Sequence, residues 1–350
     1  MRAGPAESVA LVALALAWAP AAHPAPAPAP APPARFTVAA TGDLLIHTGV
    51  ARQALADGAG RRYAFGPMFA SIRGRIAGAD LALCHIETPL VPGPVRGYPS
   101  FRTPPALARS VREAGWDACS TASNHSLDAG QHGIGTTLRA LDRAGVGHAG
   151  TARSPRERRR PAILRAKGVT LAFLSYTAMS NGQAVPHPWS VDPASPGLIL
   201  ADARRARRDG ADAAIVNLHW GDEYRSAPSR AQLSLASRLT RSPDIAAIVG
   251  QHAHVVQPIR FQRGTPVVFG EGNLVSSQTA ACCGAGSQDG LIALIDFAAR
   301  GDRVRARRVR YVPTTVRHPD YRVLLAARGS ASWSRTVAVA GRGPRVRPVR

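Results

Sequence analysis

From about residue 36 onward, short apolar runs alternate with segments whose apolar positions recur at helical spacing. FTVAATGD (36–43), ADLALCHIE (79–87), WDACSTASN (116–124), AAIVNLHWGDEY (213–224) and IAAIVGQHAHV (245–255) share one design. Each is apolar without strict alternation, as in a strand covered on both faces, and turns polar at its C-terminal end. Between them Ile134, Leu138 and Leu141 lie on one helix face, and Gly145 stops that helix. Ser229 with Gln232 forms a capping-box pattern that opens a helix through about Arg241. ILRAKGVTLAFLSYT (163–177) and PIRFQRGTPVVFG (258–270) predict hairpins turning at Lys167-Gly168 and Arg263-Gly264. LIALIDFAA (291–299) and VRARRVRYVPTTV (304–316) predict the closing strands, and no internal repeat is visible. The pattern is that of an α/β domain, in which ligand sites gather at the C-terminal ends of the strands.

The ends of the chain read differently. Residues 1–22 carry Arg2 and then an apolar run from Val9 to Trp18, too short to span a bilayer with ease and typical of a signal peptide or N-terminal anchor. Residues 23–35 are a Pro/Ala-rich, semi-rigid linker. The folded domain is expected over 36–316, followed by a basic C-terminal tail over 317–350 whose last stretch, GRGPRVRPVR, reads as disordered. The expected location is secreted or on the extracellular face of the membrane, with peripheral membrane association open and a monomer as the expected state. Four cysteines, Cys84, Cys119, Cys282 and Cys283, are an even number that an oxidising compartment allows to pair, but spacing does not set the connectivity.

The formal net charge is +22, and Lys167 is the only lysine. Two readings compete. A coding bias that enriches Arg with Ala, Gly and Pro accounts for the excess without function. An attraction for polyanions accounts for it too, and outside the cell that favours an anionic wall or capsule polymer over nucleic acid. Much of the excess sits late, in RGDRVRARRVR (300–310) and in the last ten residues.

The chemistry collects at the strand ends: Asp43 with His47, Glu87, Asn124-His125, His219, and His252 with His254. Oxygen and imidazole donors without thiolate suit Mn, Fe, Mg or Zn. His-x-His on an extended segment sends both rings to one face. Taken singly, each has a plain structural alternative: Gly-Asp after a strand is commonly a turn, His219 before Trp220 fits a hydrogen-bonded core position, and Glu87-Thr88-Pro89 closes a strand. Five strands ending in metal-competent residues are hard to explain that way together. Asp128 reads as a holder of the Asn-His turn or a cap of the next helix. Glu223, Tyr224 and Tyr176, with Asn181, are candidates for lining a substrate groove, and Asn273 reads as a turn residue.

Asn124-His125 resembles the Asn-His pair of metallophosphoesterases, in which the Asn binds an ion and the His donates to substrate as general acid. More closely, the chain resembles the CapA family, the poly-γ-glutamate capsule biosynthesis proteins. The stretches that carry the resemblance are TGDLLIH (41–47), HIETPL (85–90), SNHSLDAGQHGIGTTLRAL (123–141), NLHWGDEY (217–224), VGQHAHVVQPI (249–259) and FGEGNLV (269–275), in order over about residues 36–315.

The resemblance implies a single-domain, calcineurin-like metallophosphoesterase-type α/β/β/α sandwich. It implies Asp43, Glu87, Asn124, His219, His252 and His254 as metal ligands, His47 as a further one, and two divalent ions. Asp43 and His125 are then the catalytic residues. His85 stands where the family's usual motif has Asn, and is expected behind the ligands as a polar support.

The departures are the missing Asp-x-His opening and a Glu where a shorter bridging Asp is usual. One reading of function is a hydrolase that uses metal-activated water on a phosphoester or γ-glutamyl-type bond. The other is a non-catalytic polyanion-binding or export component of capsule or wall assembly. No Gly-rich phosphate loop with Lys-Ser/Thr is present, which argues against polymerisation by this chain alone.

Overall fold

The five apolar runs become strands of two sheets, each run buried on both faces. The protein is described here from a computed structural model in which residues 33–349, with Met1, Arg2 and Gly4, are described. The expected leader and most of the linker lie outside the described residues.

The strands, in chain order, are β1 (Ala34–Leu44), β2 (Leu81–Ile86), β3 (Ala118–Ser120), β4 (Gly147–Ala149), β5 (Ala162–Ala166), β6 (Val169–Thr177), β7 (Ala213–Trp220) and β8 (Ile245–His252). They continue as β9 (Ile259–Gln262), β10 (Thr265–Val268), β11 (Asn273–Val275), β12 (Asp289–Arg300), β13 (Arg303–Arg317), β14 (Arg322–Leu325) and β15 (Val346–Pro348). A nine-stranded sheet runs β14-β13-β12-β1-β2-β3-β4, with β11 beside β1 and β15 beside β13; a six-stranded sheet runs β5-β6-β7-β8-β10-β9. β1-β2-β3-β4 and β6-β7-β8 pair in parallel, so their C-terminal ends share one rim in each sheet.

Alternation along the strands sorts their side chains into three apolar layers. Phe36, Val38 and Leu83 of the larger sheet meet Leu171, Phe173, Ile215 and Val249 of the smaller one. The outer face of the larger sheet packs Ala39, Leu44 and Ile86 against Val50, Leu107, Val111 and Leu141 from helices Thr48–Asp57, Ala106–Ala114 and Gly130–Ala144. Ala214, Val216 and Leu218 of the smaller sheet pack against Ile199 and Ala203 of helix Pro196–Arg208 and Ala236 and Leu239 of helix Arg230–Leu239. Each fully buried aliphatic side chain contributes roughly 1.5–3 kcal/mol. The result is the expected α/β/β/α sandwich.

Local signals translate well. Lys167-Gly168 and Arg263-Gly264 both have positive φ, as the tight turns of β5-β6 and β9-β10 require. Gly145 caps helix Gly130–Ala144 with φ +69°. The capping box of Ser229 and Gln232 forms, though its helix ends at Leu239 rather than near Arg241. β3 is only 118–120, shorter than the run suggested. Beyond it the Ser126 hydroxyl donates to the Thr121 carbonyl and accepts the Ser123 N–H, so side chains replace the ladder.

The segment beyond 316 differs from the expected tail. β14 extends the larger sheet, helix Ala331–Ala340 packs Trp333 and Val337 into the inter-sheet core, and β15 pairs with β13 over Val346–Pro348. Its many arginines suggested solvation, yet the apolar positions between them are spaced to be buried. Cys84 is paired with Cys119 across β2 and β3, and Cys282 with Cys283.

Candidate metal centre

Asp43 ends β1 at a place where the backbone is unusually crowded. Its N–H donates to the Gly272 carbonyl at 3.0 Å, and a Cβ on Gly42 would collide with that same carbonyl oxygen. The pair Gly42 and Gly272, the latter at φ +70°, lets β11 approach β1 closely enough to set Asn273 beside Asp43. From β8 the His252 N–H lies 3.4 Å from each Asp43 carboxylate oxygen. His254 Nδ1 lies 3.1 Å from Asp43 Oδ2 and 3.1 Å from Asn273 Oδ1, and its Nε2 is 3.6 Å from Glu87 Oε1. Asp43 also lies 3.8 Å from His85 Nε2.

A second line of contacts crosses between the sheets. Ser120 Oγ is 2.6 Å from His85 Nδ1, His85 Nε2 is 3.0 Å from His219 Nδ1, and His219 Nε2 is 2.9 Å from Asn124 Oδ1. Asn124 Nδ2 in turn donates to Asn181 Oδ1 at 3.2 Å. Four overlapping sets of donors lie within 4.8 Å of one another: Asp43-His85-His219, Glu87-His219-His252, Glu223-His252-His254 and Asp43-Glu87-His254. His85 therefore stands among the candidate ligands rather than behind them. Glu87 belongs to two of the sets.

The extended-segment argument for His252 and His254 does not hold. Both have positive φ, +89° and +54°, so the chain curls at this point. The rings still converge, with centroids 5.9 Å apart, because the backbone turn does what strand alternation was expected to do. Such conformations are costly for non-glycine residues and persist where the surroundings enforce them.

Burial sets the electrostatics. It drives His219 well below the ordinary imidazole range, His85 to about 4 and His252 to about 3, so these three are neutral imidazoles, and His252 Nδ1 has no hydrogen-bond partner. Burial also raises Glu87 to about 7, with His254 opposing. Burial would lower His254, but Glu87 and Asp43 carry it up to about 9. For Asp43 burial alone would raise the carboxyl; the hydrogen bond and charge of His254 hold it below its usual range.

A divalent ion suits this donor set. Both Glu87 oxygens and His252 Nδ1 are buried without any hydrogen-bond partner, an expensive arrangement unless a cation takes the lone pairs. His85, His219, His252 and His254 with Asp43 and Glu87 are the residues that would hold such ions, the borderline-hard ligands that transition metals and zinc accept.

At the rim, His125 Nδ1 donates to Asp128 Oδ2 at 2.8 Å, and its ring meets Phe101 edge-on at 4.7 Å. Asp128 also accepts the Phe101 N–H at 2.6 Å and Gln183 Nε2 at 2.9 Å. It holds the His125 ring and two loops together, and does not cap the following helix, whose N-cap is Ala129. Burial would lower His125, but Asp128 and Glu87 raise it overall. Glu223 and Tyr224 reach the mouth, with the Tyr224 ring 6.1 Å from His254 and its hydroxyl accepting from Gln278 Nε2.

Two candidates are not brought in. Tyr176 is 1% exposed and donates to Asp202 on the outer face of the smaller sheet, because strand alternation turns it away from Thr177 and the rim. His47 belongs to none of the donor sets; its Nδ1 lies 3.2 Å from Leu45 O and 3.3 Å from the Ser277 N–H, and its ring rests on Phe101.

Residues overlooked in sequence are Gln251 and Glu271. Gln251 Nε2 donates to Glu271 Oε2 at 2.7 Å beneath Asp43, and burial pushes Glu271 well above the usual carboxylate range. Asn273, read as a turn residue, binds His254, Gln278 and the Ser287 carbonyl. The glycines around FGEGNLV were the available signal, since they mark a close backbone approach.

The family model for the bacterial capsule synthesis protein PGA_cap matches residues 37–278. Capsule biosynthesis protein CapA of Bacillus anthracis is 29% identical over 176 residues, 49% of this chain and 42% of that protein. PGA biosynthesis protein CapA of Bacillus subtilis is 30% identical over 172 residues, 48% of this chain and 44% of that one. The matched region thus spans less than half the length of these relatives. Among solved structures, the calcineurin-like phosphoesterase YfkN from Bacillus subtilis superposes with a TM-score of 0.52 at 14% identity, over 88% of this chain and 96% of that one, a likeness of fold. A calcineurin-like sandwich with a buried His/Asp/Glu cluster on its rim, matched by the family model over most of its length, belongs to the bacterial capsule synthesis protein PGA_cap family.

Proposed function

We propose that this protein is an exported, metal-dependent hydrolase of capsule or poly-γ-glutamate polymer metabolism, acting on a phosphoester or γ-glutamyl-type bond. The observation that carries the reading is the buried Glu87 carboxylate and His252 Nδ1, both without a hydrogen-bond partner, inside overlapping His/carboxylate sets. Divalent ions held there, two by the way the sets share Asp43, Glu87 and His219, would polarise substrate oxygen and acidify water.

The chain's own residues supply the rest. Neutral His85, His219 and His252 present lone pairs inward, and Asp43 and Glu87 offset the positive charge of the ions. Asp128 shifts His125 toward its protonated form, in which Nε2 would carry a proton for a leaving oxygen or nitrogen at the rim. Asn124, oriented by His219 and Asn181, presents its carbonyl oxygen to the same space. Glu223 and Tyr224 border the entrance. The apolar run at residues 9–18 supports export.

The test is elemental analysis of the purified protein beside a His252→Ala/His254→Ala variant, followed by a screen of phosphoesters and γ-glutamyl polymers. Bound divalent metal in the parent, lost in the variant, together with metal-dependent turnover, is the expected result. A parent that takes up neither Mn nor Zn when reloaded overturns the reading.

A further inference from the structure

Far from the metal centre, the outer face of the larger sheet changes character. Near the rim it is apolar and covered by helices, with Ala39, Leu294 and Val312 in the core. Toward the start of β1 the same face becomes a lattice of arginines. Antiparallel partners share a face, and the register sets Arg35 opposite Ala298, Ala298 opposite Arg305, Arg300 opposite Arg303, and Asp296 opposite Arg308. A bulge between Asp296 and Phe297 keeps Arg308 and Arg310 in line with Arg303 and Arg305. Arg347 of β15 extends the row beside Arg310.

Strand alternation gathers these arginines on one face of adjoining strands, so that whatever their origin they form a continuous row. Val304, Ala306 and Val309 point the other way, into the inter-sheet core. From Arg303 to Arg310 the row extends roughly 23 Å along β13. Among the described residues Arg35, Arg300, Arg303, Arg305 and Arg347 are all exposed, and none makes an ion pair or side-chain hydrogen bond to a carboxylate. Like-charged neighbours at strand spacing repel, and a bound polyanion relieves that cost.

The face also displays the chemistry of its ligand. The Asp296 carboxylate is held between two arginines, with Arg308 Nε 2.6 Å from Oδ2 and Arg310 NH2 2.7 Å from Oδ1, while the Thr37 hydroxyl donates to Oδ1 at 2.8 Å. Arg35, Arg307, Arg308 and Arg310 line a depression around it, with the Asp80 carboxylate at the β1 side. Planar guanidinium groups take carboxylates in this forked manner. An extended row of guanidinium groups suits a linear chain, and no large apolar side chain of these strands is exposed, as insertion into a lipid surface would favour.

We infer that the outer face of β1, β12, β13 and β15 is a second binding site, which holds a linear polycarboxylate chain along the arginine row. The inference rests on the polymer-substrate reading. The row begins at Arg35 and the metal centre at Asp43 on the same strand, about 26 Å apart. A long polymer can occupy both, so the arginine site raises the local concentration of chain at the rim.

The experiment measures binding of labelled poly-γ-glutamate by the full chain at low and high salt, beside an Arg303→Ser/Arg305→Ser variant. Anionic phosphatidylglycerol vesicles and inorganic polyphosphate serve as competitors. The expected result is salt-sensitive binding that weakens about tenfold or more in the variant, with a shallower salt dependence. Metal content and turnover of a small phosphoester should stay at the parental level. Variant binding equal to the parent overturns the inference, as does preference for vesicles or polyphosphate. A parent without metal or turnover whose polymer binding is still lost in the variant removes the hydrolase reading and leaves this site standing.

Discussion

At the residue scale the most informative side chain is His125. Its Nδ1 is committed to Asp128, so only Nε2 is available to substrate, and Asp128 is itself fixed by two further donors. His125→Ala is expected to lower kcat by about 10²–10⁴-fold with metal content unchanged, as judged by steady-state kinetics beside elemental analysis. Parental turnover would remove His125 from the chemistry. Asp128→Asn should act through His125, lowering kcat about tenfold or more without loss of metal. Tyr176 gives the opposite expectation. Tyr176→Phe removes one hydrogen bond to an Asp202 still paired with Arg158 and Arg205, so it should cost about 0.5–1.5 kcal/mol in chemical denaturation. KM should not move, and a raised KM would return Tyr176 to the groove.

At the element scale, the strand ends were legible because a buried run that abruptly turns to Asp, Glu, Asn or His has few structural reasons to do so. The residues that sequence reading missed or demoted have physical causes. His85 looked like a support because strand alternation reports a face, not which donor atoms on that face converge with those of the other sheet. Tyr176 looked accessible because the end of β6 was placed in the sequence but its outward phase was not. Gln251 lies at the end of β8 while Glu271 lies in the connection between β10 and β11, and only the fold brings the two together beneath Asp43, where burial pushes the Glu271 carboxyl up. The close approach of β1 to β11 can be tested directly. Gly42→Ala places a methyl against the Gly272 carbonyl and should cost about 1–3 kcal/mol, read from the denaturation midpoint, with loss of metal affinity as Asp43 shifts. A neutral outcome would mean the two strands can part without disturbing Asp43.

At the scale of the whole molecule, the C-terminal segment is part of the sandwich, and one ion pair ties it to the first helix. Arg322 of β14 donates to both Asp57 oxygens, at 2.6 and 2.9 Å. That hydrogen bond holds Asp57 below its ordinary value of 3.8. The folded value lies below the unfolded one, so the stabilisation is complete at neutral pH and disappears as pH falls below about 4 through the folded value. Arg322→Ala should therefore cost about 1 kcal/mol near pH 7, and the gap to the parent should close in acid. A gap that stays constant down to pH 2 would assign the loss to packing of the arginine stem instead.

Local physics was readable from the chain alone. Turn chemistry at Lys167-Gly168, the cap at Gly145, the apolar strands and the polar residues at their ends depend on neighbours in sequence and on the period of the backbone. What required the folded molecule is everything that depends on distance between remote segments. The place of His85 within the candidate donor sets, the displacement of His47 and Tyr176, the curl that brings His252 and His254 together, and the ordering of arginines from three parts of the chain into one face are set by register and by packing of two sheets. Those relations arise between strands up to hundreds of residues apart, and a one-dimensional pattern carries the phase of each strand but not its partner.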